Sequence, residues 1–124
     1  MIVVDTSVWV DFLRHKEPVF SKLLRLLEDR DVLAAEPVFA ELLQGARNQG
    51  EYDVIEAYWA NLPRVEAAGI LIEAGDQSRR NHWLSAGVGL IDAAIIVTAR
   101  SAGARIWTLD ARLRKALGKE ELYG

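Results

Sequence analysis

An α/β domain built on a parallel sheet is the fold class the sequence predicts. Two observations carry the reading. Short β-branched runs, Ile2-Val3-Val4 and Val32 to Ala35, alternate with segments of helical periodicity. Those runs are apolar throughout rather than alternating with polar residues. Such strands need cover on both faces, as the strands of parallel sheets have.

The elements follow in order. Ile2-Val3-Val4 stops at Asp5-Thr6-Ser7, a strand followed by a helix start, and Val8 to Leu13 continue as helix. Pro18 opens a second helix with Phe20, Leu23, Leu24 and Leu27 at helical spacing. Val32 to Ala35 form the second strand. Pro37 takes a first-helical position, where a missing N–H is tolerated. In EPVFAELLQGAR, Val38, Phe39, Leu42, Leu43 and Ala46 cover an arc of about 140°, and Glu41 lies about 60° outside it. A helix from Tyr52 to Leu62 is stopped by Pro63, and Arg64 to Ala67 read as a short edge strand. Ile70 to Ser85 form a polar, amphipathic helix. Leu90 to Ala102 form a helix that is apolar on nearly every side, yet carries Asp92. The strand Arg105 to Leu109 ends on Asp110, and a last helix, Ala111 to Leu117, closes at Gly118.

Composition narrows the function classes. The 124 residues are read as one domain, 1–124, with 51% hydrophobic and 27% charged residues, a globular balance. The absence of cysteine excludes disulfides, Cys-ligated zinc and thiol nucleophiles, and fits a reducing cytoplasm. MIVVDTSVWVDFL has no basic leader, so it is not a signal peptide. The apolar run around Ala93 to Val97 is too short to span a bilayer, and no membrane partner is expected.

The net charge of −3 is unevenly spread. Residues 1–76 hold 7 Lys/Arg and 14 Asp/Glu, whereas residues 77–124 hold 8 and 4, giving −7 and +4. The basic half suits solvated helix faces, or a phosphate-facing side on an acidic protein.

Asp5 and Asp110 each stand at the carboxyl end of a strand, where ligands of parallel sheets bind. Each of Asp5, Asp92 and Asp110 also has a plain structural explanation as a helix N-cap, and Glu41 as an exposed glutamate. Together they are harder to dismiss. Clustered carboxylates repel, and burying them unpaired is costly. A divalent cation removes that cost, and Mg²⁺ or Mn²⁺ prefers such oxygens while leaving room for a substrate phosphate. Other chemistries lack their parts. There is no P-loop and no G-x-S-x-G motif. His15 and His82 have no metal-ligand spacing, and Gly87-Val88-Gly89 is too short for a nucleotide loop. A receiver domain needs adjacent acids at the first strand. A haloacid-dehalogenase-type phosphatase needs a second aspartate where Ser7 stands.

MIVVDTSVWVDFL, PVFAELLQGAR and GLIDAAIIVTARSAGARIWTLDARL resemble the three blocks of PIN-domain ribonucleases, in the family's order and over essentially the whole chain. They are most similar to the VapC-type toxins of VapBC toxin–antitoxin pairs. The resemblance implies a three-layer α/β/α fold with a small parallel sheet and metal-dependent cleavage of RNA. It implies a VapB-like antitoxin partner and a toxin homodimer. By motif it implies Asp5, Glu41, Asp92 and Asp110 as metal-binding and catalytic acids, with Mg²⁺ or Mn²⁺ as cofactor. It implies Thr6 and Thr108 as polar supports. Water would attack in line, leaving a 5′-phosphate and a 3′-hydroxyl. The chain departs from the family at Leu113, where an aromatic is common. Arg79, Arg80, Arg112 and Arg114 are candidate contacts for the RNA backbone. A splayed base could stack on Trp9 or Trp83, although core packing is the favoured role for the tryptophans. The alternative function is a PIN fold without catalysis that binds RNA or protein.

Overall fold

A computed structural model describes all residues 1–124. The chain runs β1 (Ile2–Val4), α1 (Thr6–Leu13), α2 (Val19–Glu28), β2 (Val32–Leu33), α3 (Glu36–Gln44), α4 (Gln49–Asn61), α5 (Ile70–Asn81), α6 (Leu90–Ser101), β3 (Arg105–Trp107) and α7 (Ala111–Ala116), and a 3₁₀ turn spans Lys119–Glu121. The three strands are parallel in the order β2-β1-β3, with Ile2 opposite both Val32 and Arg105. The α/β reading from apolar strands therefore holds. All three residues of β1 are buried although successive side chains point to opposite faces, so helices cover the sheet on both sides. No helix is long and apolar enough to cross a membrane.

Order matters for the site. The chain leaves β1 toward β2 on one side and later returns to pair β3 on the other. Such a switch point opens a crevice at the carboxyl ends of the strands. Asp5 and Asp110 stand at that edge, and the Asp5 N–H donates to the Trp107 carbonyl at 2.9 Å, tying the ends of β1 and β3 together.

One core of 29 buried residues holds this arrangement. Trp9 lies near its centre, with ring centroids 5.6 Å from Phe12, 5.4 Å from Phe39 and 5.2 Å from Tyr58. These contacts lock α1 to α3 and α4. Helix α6 is buried from Ala93 to Ala99, which explains its apolarity on all sides. Trp9, Trp83 and Trp107 are all buried, so Trp9 and Trp83 offer no face for a stacked base.

Several boundaries differ from the sequence reading. Arg64 to Ala67 form no strand; Arg64 makes only a single parallel bridge to Ala34. Pro63 has no N–H to extend a ladder, and its carbonyl instead accepts from Ala34. Helix α5 ends at Asn81, not Ser85. His82 takes a left-handed conformation there, and the Trp83 N–H closes back onto the Ser78 carbonyl. The strand β3 stops at Trp107, because Thr108 turns its hydroxyl into the site. Glu36 rather than Pro37 is the first residue of α3. In α2 the buried positions are Val19, Leu23 and Leu26, while Leu24 faces solvent.

Helix α4 carries a clear stability test. The Asn48 side chain caps it by accepting from the Glu51 N–H at 2.9 Å. Asn48→Ala should lower the unfolding free energy by about 1 kcal/mol, read as a shift in the urea midpoint at constant m.

Candidate active site

Four acids from four segments lie near one another at the carboxyl edge of the sheet, close enough for the charges of three to act on Asp92. Asp5 ends β1 and is buried, at 4% exposure. It is the N-cap residue of α1 by backbone position, but its side chain caps nothing. Its Oδ2 instead accepts from Thr108 Oγ1 at 2.7 Å and Ser7 Oγ at 2.9 Å. Glu41, half-buried on α3, accepts from Thr6 Oγ1 through Oε1 at 2.7 Å. Asp110 does cap α7, its Oδ1 accepting from the Arg112 N–H at 2.8 Å and the Leu113 N–H at 3.5 Å.

Asp92 is not a cap, contrary to the simplest sequence explanation. Gly89 is the N-cap of α6, and Asp92 sits in the first turn, three residues on. Burial raises its carboxyl to about 6, and the charges of Asp5, Glu41 and Asp110 push in the same direction. The Gly89 backbone N–H works against them. That all three other acids act on Asp92 places the four in one electrostatic neighbourhood.

Hydroxyls frame these acids. Thr108 Oγ1 donates to Asp5 and accepts from the Asp110 N–H at 3.0 Å, linking two acids through one atom. Ser7, which the sequence gives no site role, does similar service. Its Oγ donates to Asp5 and accepts from the Leu109 N–H at 3.1 Å, bridging the start of α1 to the end of β3. The signal was available in Asp5-Thr6-Ser7, since a hydroxyl two residues after an aspartate can fold back onto it.

No lysine or arginine forms an ion pair with any of the four carboxylates; the ion pairs of the chain lie elsewhere. Nor do any three acidic or imidazole groups clasp a common point as they stand. Like charges without a basic partner repel and stay apart. The donor chemistry, all carboxylate oxygen with no thiol or imidazole, fits a hard divalent cation, and closing around one requires side-chain rotation.

The candidate RNA-contacting arginines are placed differently from one another. Arg79 is exposed at the end of α5, and Arg80 pairs with Asp76 at 2.7 Å. Arg112 is exposed in α7, its stem beside Gly87. Arg114 donates to the carbonyls of Thr108 and Gly124 at 3.3 and 3.2 Å. Leu113 is fully buried, so an apolar packing role replaces any aromatic at that position.

The sheet order and the four acids at its edge define a PIN-type domain, and the sequence model of the PIN domain family matches residues 2–118. The chain belongs to this family. Among curated relatives it is 38% identical over 120 residues to ribonuclease VapC32 of Mycobacterium tuberculosis, covering 94% of this chain and 90% of the relative. Its fold matches that of Mycobacterium tuberculosis VapC20, a sarcin-ricin-loop-cleaving toxin, with a TM-score of 0.74 at 19% identity over 97% of this chain and 98% of that one. It also matches VapBC2 of Rickettsia felis, solved on a DNA fragment from its promoter, with a TM-score of 0.74 at 17% identity over 98% and 96%.

Proposed function

We propose that this chain, acting as one domain in the cytoplasm, is a Mg²⁺- or Mn²⁺-dependent endoribonuclease and the toxin of a VapBC-type pair. Kinship with a VapC ribonuclease supports the activity class. One observation carries the assignment of the site: each of three acids has one oxygen bound by the protein and the other left free. Asp5 keeps Oδ1, Glu41 keeps Oε2 and Asp110 keeps Oδ2. Asp92 completes the set.

These residues divide the work. Thr108 and Ser7 fix the Asp5 carboxylate, Thr6 fixes Glu41, and the first turn of α7 fixes Asp110. The free oxygens of the set would hold the cation. Thr6 and Thr108 are positioning residues, because they act through the acids. When bound, the cation supplies positive charge for the scissile phosphate and acidifies a water. Burial of Asp5, with Asp92 half-buried beside it, keeps these interactions out of full solvent screening. A VapB-like antitoxin and a second copy of the toxin are the proposed protein partners. Exposed Leu71 and Ile72 at the start of α5 supply apolar surface suited to one of them.

The test is cleavage of total cellular RNA by partner-free protein. Discrete fragments with 5′-phosphate ends should appear with Mg²⁺ or Mn²⁺, vanish in EDTA and return when the metal is restored. Asp5→Asn should lack them under every condition. A folded protein that binds RNA but never cuts it would point instead to a non-catalytic PIN scaffold.

A further inference from the structure

We propose that Arg79 and Arg112 form a cationic flank beside the acid cluster that grips the sugar–phosphate backbone of the RNA substrate, an inference that rests on the ribonuclease reading above. The starting observation is that most arginines of the basic C-terminal half are already engaged. Arg80 is paired with Asp76, and Arg114 holds two backbone carbonyls. Arg100 binds Glu121 at 2.8 Å and Gln77 at 3.2 Å, with its guanidinium 5.4 Å from the Trp83 ring centre. Arg105 lies over Tyr123. Arg79 and Arg112 make no ion pair and no side-chain hydrogen bond.

Their surroundings suit a phosphate. Arg79 lines an open groove of about 650 Å³ together with Ser78, His82, Ser85 and Leu90. No carboxylate lines this groove, whereas Glu41 and Glu51, or Glu36 and Glu66, line other grooves. Its lining includes Leu90, the first residue of α6, the helix that carries Asp92. Arg112 lies against the α5–α6 turn, whose Leu84 and Ser85 line the groove. Its backbone N–H is bound to Asp110, and its stem lies across Gly87 in the turn between α5 and α6. A Cβ on Gly87 would stand 3.0 Å from Arg112 Cδ and 3.3 Å from Nε, and its φ of +86° favours glycine independently. Glycine therefore lets the Arg112 stem rest against the turn.

Two unpaired guanidiniums, that of Arg79 lining an acid-free groove and that of Arg112 lying against the adjoining turn, are donors without acceptors. Arginine forks match phosphate oxygens bidentately. Contacts to backbone phosphate carry no sequence information, so this flank would position RNA rather than choose the cut site.

The test uses Asp5→Asn protein, which is not expected to cut, and a short fluorescein-labelled single-stranded oligoribonucleotide, followed by anisotropy across a salt series. Adding Arg79→Ala or Arg112→Gln should weaken binding about tenfold and reduce the slope of log Kd against log salt by about 0.7 each. Arg25→Ala, an equal charge change on α2, should leave both quantities unchanged. In protein with Asp5 intact, Arg79→Ala and Arg112→Gln should yield the same RNA fragments, with KM raised more than kcat is lowered. Unchanged slopes, or an equal effect from Arg25→Ala, would overturn the inference. If the parent cuts RNA and the arginine variants behave as it does, the flank fails and the ribonuclease reading stands. If the protein neither binds nor cuts RNA, both fail.

Discussion

Asp92→Asn should lose RNA cleavage by at least about 100-fold and yet make the metal-free protein more stable at neutral pH. The two effects have one origin. Burial and three neighbouring carboxylates raise the Asp92 carboxyl to about 6. An unfolded chain would ionise it near 3.8. Between those values the folded state binds the proton that the unfolded state has released. The contribution of Asp92 to the stability of the metal-free protein is therefore fully present below about 4 and is lost as the pH rises through 6. At pH 7 the folded protein carries a charge it disfavours, which asparagine of the same shape removes. Solvent reaches part of this side chain, so after discounting for screening the gain is on the order of 1 kcal/mol. Thermal unfolding in EDTA at pH 4.5 and 7.5 checks it: the difference between variant and parent should be larger at pH 7.5. A lost ligand that contributed about 3 kcal/mol to the transition state gives the 100-fold loss of rate. An equal variant–parent difference at both pH values would count against the raised Asp92 carboxyl, and undiminished cleavage would count against a cation-binding role for Asp92.

Thr108→Val should destabilise the fold by about 3 kcal/mol although it preserves shape and volume. Thr108 is fully buried, and its hydroxyl serves two groups at once. Asp5, at 4% exposure, would keep only the Ser7 hydrogen bond from a side chain, and the Asp110 N–H would lose its acceptor. A buried carboxylate short of a donor and an orphaned N–H explain the size of the loss. Urea denaturation should show the midpoint falling without a change in m. Activity should fall by roughly 10–100-fold, as when the support of a metal ligand is removed. Thr108→Ser restores the hydroxyl and should recover most of both losses, which a simple packing defect would not allow. A valine variant as stable as the parent would mean that the hydroxyl network does not hold the site together.

Much of this was legible in the chain itself. Uninterrupted apolar strands separated by helical periodicities determine a sheet covered on both faces, because burial leaves no room for alternating polar residues. Asp5 and Asp110 were readable at strand ends, and Glu41 was readable as an acid outside its helix's apolar arc. The three blocks placed the chain in its family. The sequence could not separate the roles of the aspartates, since capping and ligation use the same residue type at the same junctions. Only the fold shows Asp110 capping its helix, Asp5 bonded to hydroxyls, and Asp92 three residues inside α6 with Gly89 at the cap. It also decided which arginines are free, because Arg80, Arg100 and Arg114 find partners through local and distant contacts that composition does not record. Local pattern thus determined the elements and the kinds of donor. Their partners are set by contacts as remote as Thr108 to Asp5, 103 residues apart, which form only when packing brings β1 and β3 side by side.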